Sequence, residues 1–127
     1  MKRLILTIAL FLPIQLVVAD QHALPNAVTA DPKHYTVEFE NDVLRVVRIK
    51  YPPGEASVMH SHDANCAIFL ADGAMRMQLP DGTSSVPPAN ASGTVICGDA
   101  KAHLPSNVGE TAVELLLVEM KGRKVAK

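Results

Sequence analysis

Apolar and polar residues alternate along several short stretches of the chain, and turn-forming residues separate these stretches. Residues 36–40 and 74–79 alternate with a period of two, and residues 43–51 form a run rich in β-branched side chains. Pro52-Pro53-Gly54 ends that run. Because successive side chains of a strand point to opposite faces, this period predicts β-strands.

Further turn signals divide the second half of the chain. Asp72-Gly73 and Asp81-Gly82 predict hairpin turns, because such dipeptides adopt the backbone of tight β-turns without strain. Residues 95–97 are typical of a short strand. The run "VELLLVEM" at residues 113–120 fits a buried helix or a buried strand, and its position after a series of strands favours a strand.

These elements predict one all-β domain. No segment after residue 20 shows the period of an amphipathic helix. Roughly eight short strands with regular turns are typical of a β-sandwich or β-barrel, and a chain of 127 residues fits a single domain. We expect a β-barrel over residues 36–121, preceded by an irregular lead-in over residues 20–35 and followed by a basic tail over residues 122–127.

Residues 1–19 have the composition of a secretory signal peptide. Two basic residues precede an apolar run over residues 4–18, and small residues precede a predicted cleavage site after Ala19. The alternative is an uncleaved membrane anchor, but the run is short for a spanning helix and Pro13 would break it. We expect secretion, with a bacterial periplasm favoured, and no membrane association after cleavage.

The charge of the chain argues against a nucleic-acid partner. The full chain has a formal net charge of −1. Removal of the predicted signal peptide takes away two of the 12 basic residues and none of the 13 acidic residues, which leaves a net charge of −3. The basic residues of the predicted tail are more typical of a solvated end than of a nucleic-acid-binding patch. We therefore expect no nucleic-acid partner.

Two histidines stand one residue apart in the stretch "GEASVMHSHDANCAIFLADG", residues 54–73. In an extended strand His60 and His62 point to the same face, and two imidazoles on one face can bind one metal ion. A solvated pair on the outer surface is the alternative, since such a pair alone is a weak signal. Glu55 and Asp63 lie at odd spacing from the pair, so the pattern places no carboxylate beside it.

The surroundings of this pair resemble the first motif of the cupin superfamily, G-x5-H-x-H-x3-E-x6-G. Gly54, His60, His62 and Gly73 match its fixed positions. Cys66 stands where the motif has glutamate. The match is specific apart from this one substitution.

A later stretch, "GTVICGDAKAHLPSN", is similar to a shortened form of the second cupin motif, G-x5-P-x-G-x2-H-x3-N. Gly93, His103 and Asn107 match this form. Asp99 and Lys101 replace the proline and the second glycine of the motif. This second half of the resemblance is therefore weaker than the first.

The resemblance implies a single-domain cupin jelly-roll β-barrel, a fold that often forms a homodimer. It implies a divalent transition metal inside the barrel, with His60, His62 and His103 as its ligands. Fe(II) is the favoured ion, and Zn, Ni, Cu or Mn also suits a three-histidine set. The glutamate ligand of the superfamily does not carry over, because this chain lacks it.

Three interpretations of Cys66 stay open. It can be a fourth ligand, since a thiolate suits zinc or copper. It can lie beside a three-histidine centre without binding the metal, as implied by a resemblance to the three-histidine thiol dioxygenases, cupins that often carry cysteine here. It can also be a buried apolar residue or form a disulfide with Cys97, which a secreted chain permits.

Two functional hypotheses follow from these features. The first is a mononuclear three-histidine metal oxygenase, similar to the thiol dioxygenases, that acts on a small molecule. The second is a non-catalytic cupin that binds a metal or a small ligand. Met75 and Met77 alternate with polar residues, so we expect them in the core and not at a copper site. His22 and His34 fall in or near the lead-in, where we expect them in solvent.

Overall fold

The structure is a computed structural model that describes residues 24–123. The predicted signal peptide at residues 1–19, His22 and the last four residues of the predicted tail lie outside this range. Within it, helix α1 spans Ala27–Ala30, and no helix is long and apolar enough to cross a bilayer. Nine strands follow in these described residues: β1 (Tyr35–Glu40), β2 (Leu44–Tyr51), β3 (His60–His62), β4 (Ala64–Phe69), β5 (Met75–Gln78), β6 (Ser84–Ser85), β7 (Val95–Gly98), β8 (Lys101–Asn107) and β9 (Val113–Met120).

The strands form two antiparallel sheets that enclose one core. The larger sheet has the order β1-β2-β9-β4-β7, and the smaller sheet has the order β3-β8-β5-β6. Buried apolar side chains from both sheets meet in a single cluster. This arrangement is a jelly roll, which confirms the predicted all-β fold in one domain.

Strand β9 carries much of the core and resolves the ambiguity of "VELLLVEM". Val113, Leu115 and Leu117 are buried, and the residues between them are half-buried. This alternation is that of a strand, and β9 lies between β2 and β4. Glu119 continues the buried side at 1% exposure. The same strand that fills the core therefore places a carboxylate inside the barrel.

One of the two predicted hairpin turns is present. Asp81-Gly82 joins the paired strands β5 and β6, and Gly82 has a φ of 86°, which favours glycine. The hairpin predicted at Asp72-Gly73 is wrong, because this turn connects β4 and β5, which lie in different sheets. Gly73 serves packing instead, since an added Cβ would lie 2.5 Å from Cγ2 of the buried Val113.

Part of the lead-in packs against the barrel. Ala27 of helix α1 is 1% exposed and His34 is 6% exposed, so the expectation that His34 lies in solvent is wrong. Its ring nitrogens lie 2.7 Å from Asp31 Oδ2 and 2.6 Å from Glu55 Oε2. The ring also stacks on Tyr51. Residues distant in sequence bury this histidine, so no local pattern could reveal its position.

Candidate metal centre

Three histidines meet on the inner face of the smaller sheet. Strand β3 pairs with β8 so that His60 lies directly opposite His103. His62 is two residues from His60 on the same strand, so the three side chains share one face. The structure therefore brings the three predicted ligand residues together.

The cluster is buried and compact. His60 and His62 are 0% and 6% exposed, and His103 is half-buried. One nitrogen from each ring can be chosen so that all three lie within 4.8 Å of one another. Nε2 of His60 lies 2.8 Å from Nε2 of His62. These separations suit imidazoles around one ion, because metal–nitrogen bonds are about 2.0–2.1 Å long.

A buried carboxylate orients the ring of His62. Nδ1 of His62 lies 2.7 Å from Glu119 Oε1, and Nε of Arg45 donates a hydrogen bond to Glu119 Oε2 at 2.7 Å. Burial alone raises the pKa of Glu119, but the hydrogen bonds from His62 and Arg45 outweigh burial and lower that pKa. The carboxylate is therefore ionised and accepts a hydrogen bond from Nδ1. A carboxylate behind a histidine is a common support for a metal ligand.

A second set of hydrogen bonds orients His60. Its Nδ1 lies 2.8 Å from the carbonyl oxygen of Val58 and 3.3 Å from Ser57 Oγ. Ser57 Oγ donates a hydrogen bond to Asp31 Oδ2 at 2.6 Å. Asp31 Oδ2 also accepts a hydrogen bond from His34. Burial raises the pKa of Asp31, but the hydrogen bonds from Ser57 and His34 lower it overall. The ionised carboxylate of Asp31, in the lead-in, thus supports His60 through the hydroxyl of Ser57.

These partners assign the ring protons of His60 and His62. Each Nδ1 faces an oxygen acceptor and therefore carries a proton, so in the neutral rings each Nε2 carries a lone pair. Two such lone pairs 2.8 Å apart repel each other unless a proton or a metal ion lies between them. A bound metal ion removes this repulsion. The donor set and its orientation therefore fit a divalent transition metal.

Burial keeps His60 and His103 in their metal-binding protonation state. Burial, together with the neighbouring His62, lowers the pKa of His60 to about 4. Burial, together with His62 and His60, lowers the pKa of His103 to about 2. Both rings are neutral at neutral pH, and neutral imidazole is the form that binds metal.

Two tyrosine hydroxyls form a chain that ends at the cluster. The Tyr51 hydroxyl donates to the Tyr35 oxygen at 2.6 Å, and the Tyr35 hydroxyl lies 3.2 Å from Nε2 of His60. Because Tyr35 accepts from Tyr51, its own hydrogen is free to point at the cluster. Burial raises the pKa of both hydroxyls, so both stay protonated at neutral pH. Tyr35 is therefore a hydrogen-bond donor beside the centre.

A cavity of about 320 Å³ opens beside the histidines, between the two sheets. His62, His103 and Tyr35 line one end of it. Met75 and Met77 line its apolar part, where Met75 belongs to the core and Met77 packs against it. The volume lies near the lower end of the range of small-molecule sites, so the ligand it can enclose is small.

Cys66 forms a disulfide with Cys97 across strands β4 and β7, with Cα atoms 4.0 Å apart. Asn65 and Ala67 line the cavity, so Cys66 between them points to the opposite face of the sheet. Of the three interpretations that the sequence left open, the structure has the disulfide. Cys66 is neither a fourth ligand nor a neighbour of the three histidines.

The two interpretations that placed Cys66 beside the metal fail for a geometric reason. Its even spacing from His62 implies a shared face only if one strand runs through both residues. Strand β3 instead ends at His62 and β4 begins at Ala64, so Asp63 interrupts the alternation. Asn65, at odd spacing, takes the inward position opposite Glu119.

Sequence reasoning also missed several polar residues of the site. Glu119 follows Leu115 and Leu117 at the same two-residue spacing, so the strand pattern held a readable signal for it. The expectation that no carboxylate lies beside the histidines is therefore wrong. Asp31 and Tyr35 carried no such signal, because the path of the lead-in over the barrel places them.

Replacing both cysteines with serine tests the position of the disulfide. We expect the Cys66→Ser/Cys97→Ser variant to keep the metal content of the parent, because neither cysteine belongs to the group of side chains that can hold the ion. We expect its free energy of unfolding in urea to fall by about 2–4 kcal/mol, because the closed loop no longer restricts the unfolded chain. Loss of bound metal from the folded variant would contradict this assignment.

Acidification tests the burial of the neutral histidines. In metal-free protein the unfolded chain binds more protons than the folded chain between the usual histidine pKa of 6.5 and the lowered pKa of about 4 at His60. The free energy of unfolding therefore decreases as the pH is lowered through that window, by about 2–4 kcal/mol between about pH 7 and pH 5 for two such groups. Urea denaturation measures this, and His103→Gln should reduce the decline by about half. An unchanged decline in that variant would show that His103 titrates normally.

The sequence matches no protein-family profile and no curated protein sequence. Its similarities are to solved structures. It is similar to a cupin domain from Bordetella pertussis Tohama I, with a TM-score of 0.63, 21% identity, and coverage of 78% of this chain and 97% of that one.

Two further structures share the architecture. A cupin family protein with a double-stranded β-helix fold from Methanocaldococcus jannaschii has a TM-score of 0.53 and 19% identity, covering 71% of this chain and 83% of its own. An uncharacterized conserved protein with a double-stranded β-helix domain from Klebsiella pneumoniae has a TM-score of 0.55 and 16% identity, covering 72% and 78%. Together with the paired sheets and the histidine cluster, these similarities establish that the chain has the cupin fold.

Proposed function

We propose that this chain is a metal-binding cupin whose three histidines hold one divalent transition metal, with Fe(II) favoured. We further propose that it is an oxygenase that oxidises a small-molecule thiol with dioxygen. The observation that carries the proposal is the convergence of three histidine nitrogens within 4.8 Å of one another, with Nε2 of His60 and Nε2 of His62 2.8 Å apart and both Nδ1 atoms facing oxygen acceptors. Zn, Ni, Cu and Mn suit the same ligand set.

An Fe(II) ion held by three histidines would offer adjacent open coordination positions to a substrate and to dioxygen. The protein contributes the orientation of the ligands. Glu119 fixes the ring of His62, and the carbonyl of Val58 with Ser57 Oγ fixes the ring of His60. These hydrogen bonds keep the Nε2 atoms of His60 and His62 directed to one point, where they would bind the same metal ion.

Tyr35 supports the proposal as a hydrogen-bond donor. Its hydroxyl lies 3.2 Å from the His60 nitrogen and accepts a hydrogen bond from Tyr51. With the His60 lone pair engaged, the Tyr35 hydrogen can be donated to an anionic substrate group beside the centre. The burial of both tyrosines, at 3% and 1% exposure, keeps water away from this donor.

The proposed reaction balances without a further reductant. A thiol and one dioxygen molecule give a sulfinic acid, with both oxygen atoms on sulfur. The sulfur loses four electrons and dioxygen gains four, so the substrate alone supplies the electrons. The substrate thiol comes from outside the chain, because both cysteines are joined in the disulfide.

We also propose that the chain is secreted, with a bacterial periplasm as its compartment. The predicted signal peptide and the Cys66–Cys97 disulfide support this proposal. Disulfides persist in oxidising compartments and are rare in the cytosol.

A homodimer is a further proposal, supported by strand β1. This strand lies at the edge of the larger sheet. Its residues Val37 and Phe39 are 37% and 53% exposed. Apolar side chains on an open edge strand are suited to contact with a second copy.

Metal content and oxygen uptake test the proposed function. We expect about one iron per chain after anaerobic loading, and oxygen consumption when a thiol carboxylate or an aminothiol carboxylate is added. His103→Ala should lose at least about tenfold in metal affinity, because one of three ligands is removed. Ser106→Ala is the matched control, since Ser106 lies on the same strand with odd spacing from His103 and so points to the other face.

Two outcomes would contradict the proposal at different levels. Tightly held zinc with no oxygen consumption in the iron-loaded protein would leave the non-catalytic binding hypothesis. Full metal occupancy in His103→Ala would exclude the three-histidine centre itself.

A further inference from the structure

The cavity beside the histidines has two chemically different parts. Its walls are apolar over most of their extent, formed by Ile49, Phe69, Met75, Met77, Leu115 and Leu117. At the other end lie the imidazoles of His62 and His103 and the hydroxyls of Tyr35 and Tyr51. A ligand that fits both parts has a polar head and an apolar body.

The charged residue of this cavity is a cation. Lys101 lines the cavity, and it lies opposite His62 in the pairing of β3 with β8. Among residues 24–123, no aspartate or glutamate lines the cavity. Both oxygens of the nearby Glu119 are engaged, one by His62 and one by Arg45. The cavity therefore offers positive charge and hydrogen-bond donors beside the histidines, and its amides Asn65 and Asn90 are neutral, so it has no carboxylate for a ligand cation.

We propose that the cavity selects a small anion that has an apolar body and lacks an amino group. This inference rests on the proposed function and narrows its substrate class to thiol carboxylates without an amine. The anionic head lies near Lys101, the metal-binding histidines and the Tyr35 hydroxyl. The apolar body lies against the side chains of β2, β4, β5 and β9.

The selection against an amine follows from the charges. A buried ammonium group is strongly unfavourable unless a carboxylate or several acceptors replace its water. Here an ammonium would lie near Lys101 and the metal, both positive, and the carboxylates of Asp31 and Glu119 are held by their own partners. An anion instead gains from both positive charges, with His60 and His62 buried and Lys101 on the exposed side of the cavity.

Three probes of equal chain length separate the contributions. Hexanoate carries the anion, norleucine adds an amino group to the same skeleton, and hexanamide removes the charge. Isothermal titration into the zinc-loaded protein avoids redox chemistry. We expect hexanoate to bind at least about tenfold more tightly than either of the others.

Substitution of Lys101 tests whether this residue causes the preference for the anion hexanoate. Lys101→Gln should weaken hexanoate binding about fivefold or more and leave hexanamide binding unchanged. Lys50→Gln is the matched control, because Lys50 is exposed on β2 and does not line the cavity. It should leave the binding of all three probes unchanged.

Several results would overturn the inference. Norleucine binding as tightly as hexanoate, or no binding of hexanoate, would exclude an amine-free anion. Equal hexanoate affinity in Lys101→Gln and the parent would exclude Lys101 as the source of selectivity. Zinc binding is measured first, so failure of the proposed metal site is recognised separately. In that case the same probes in metal-free protein still decide the ligand class.

Discussion

The Nε2 atoms of His60 and His62 lie 2.8 Å apart inside the barrel, and this close approach constrains the rest of the site. Hydrogen bonds at Nδ1 of each ring keep the two rings in this arrangement. Glu119 holds His62, and the Val58 carbonyl with Ser57 holds His60. Without a cation the arrangement is unfavourable, so binding of a metal is linked to the stability of the folded chain.

The supports behind the histidines come from separate parts of the fold. Glu119 lies on β9, the strand that also fills the core, and Arg45 pairs with it from the neighbouring strand β2. Asp31 belongs to the lead-in and reaches His60 through Ser57. Core packing and site geometry are therefore coupled, since a shift of β9 moves both the apolar wall and the carboxylate behind His62.

The cavity beside the histidines also separates polar groups from apolar groups. Its polar end carries positive charge and hydroxyl donors, and its apolar walls come from both sheets. A site of this kind distinguishes ligands by what it lacks as well as by what it offers. Burying a ligand cation without a carboxylate partner costs more free energy than one hydrogen bond to an anion contributes.

The fold and the three histidines could be predicted from sequence because their signals are local. Alternation gave the strands, and the spacing of His60, His62 and His103 matched the two motifs of the resemblance. Cys66 was harder, because a one-residue interruption at Asp63 reverses which residues face inward. Predicting the partners of His34 or the approach of Tyr35 to His60 required the path of the lead-in across the barrel. That path depends on contacts between distant residues and leaves no periodic signal.

X-ray absorption spectroscopy of the metal-loaded chain tests the central claim most directly, because it reports the ligands of the ion itself. With zinc bound, we predict scattering from three imidazole nitrogens at about 2.0–2.1 Å and no sulfur ligand. Reduction of the Cys66–Cys97 disulfide should leave this spectrum unchanged. A sulfur ligand at about 2.3 Å, or fewer than three imidazoles, would contradict the three-histidine centre.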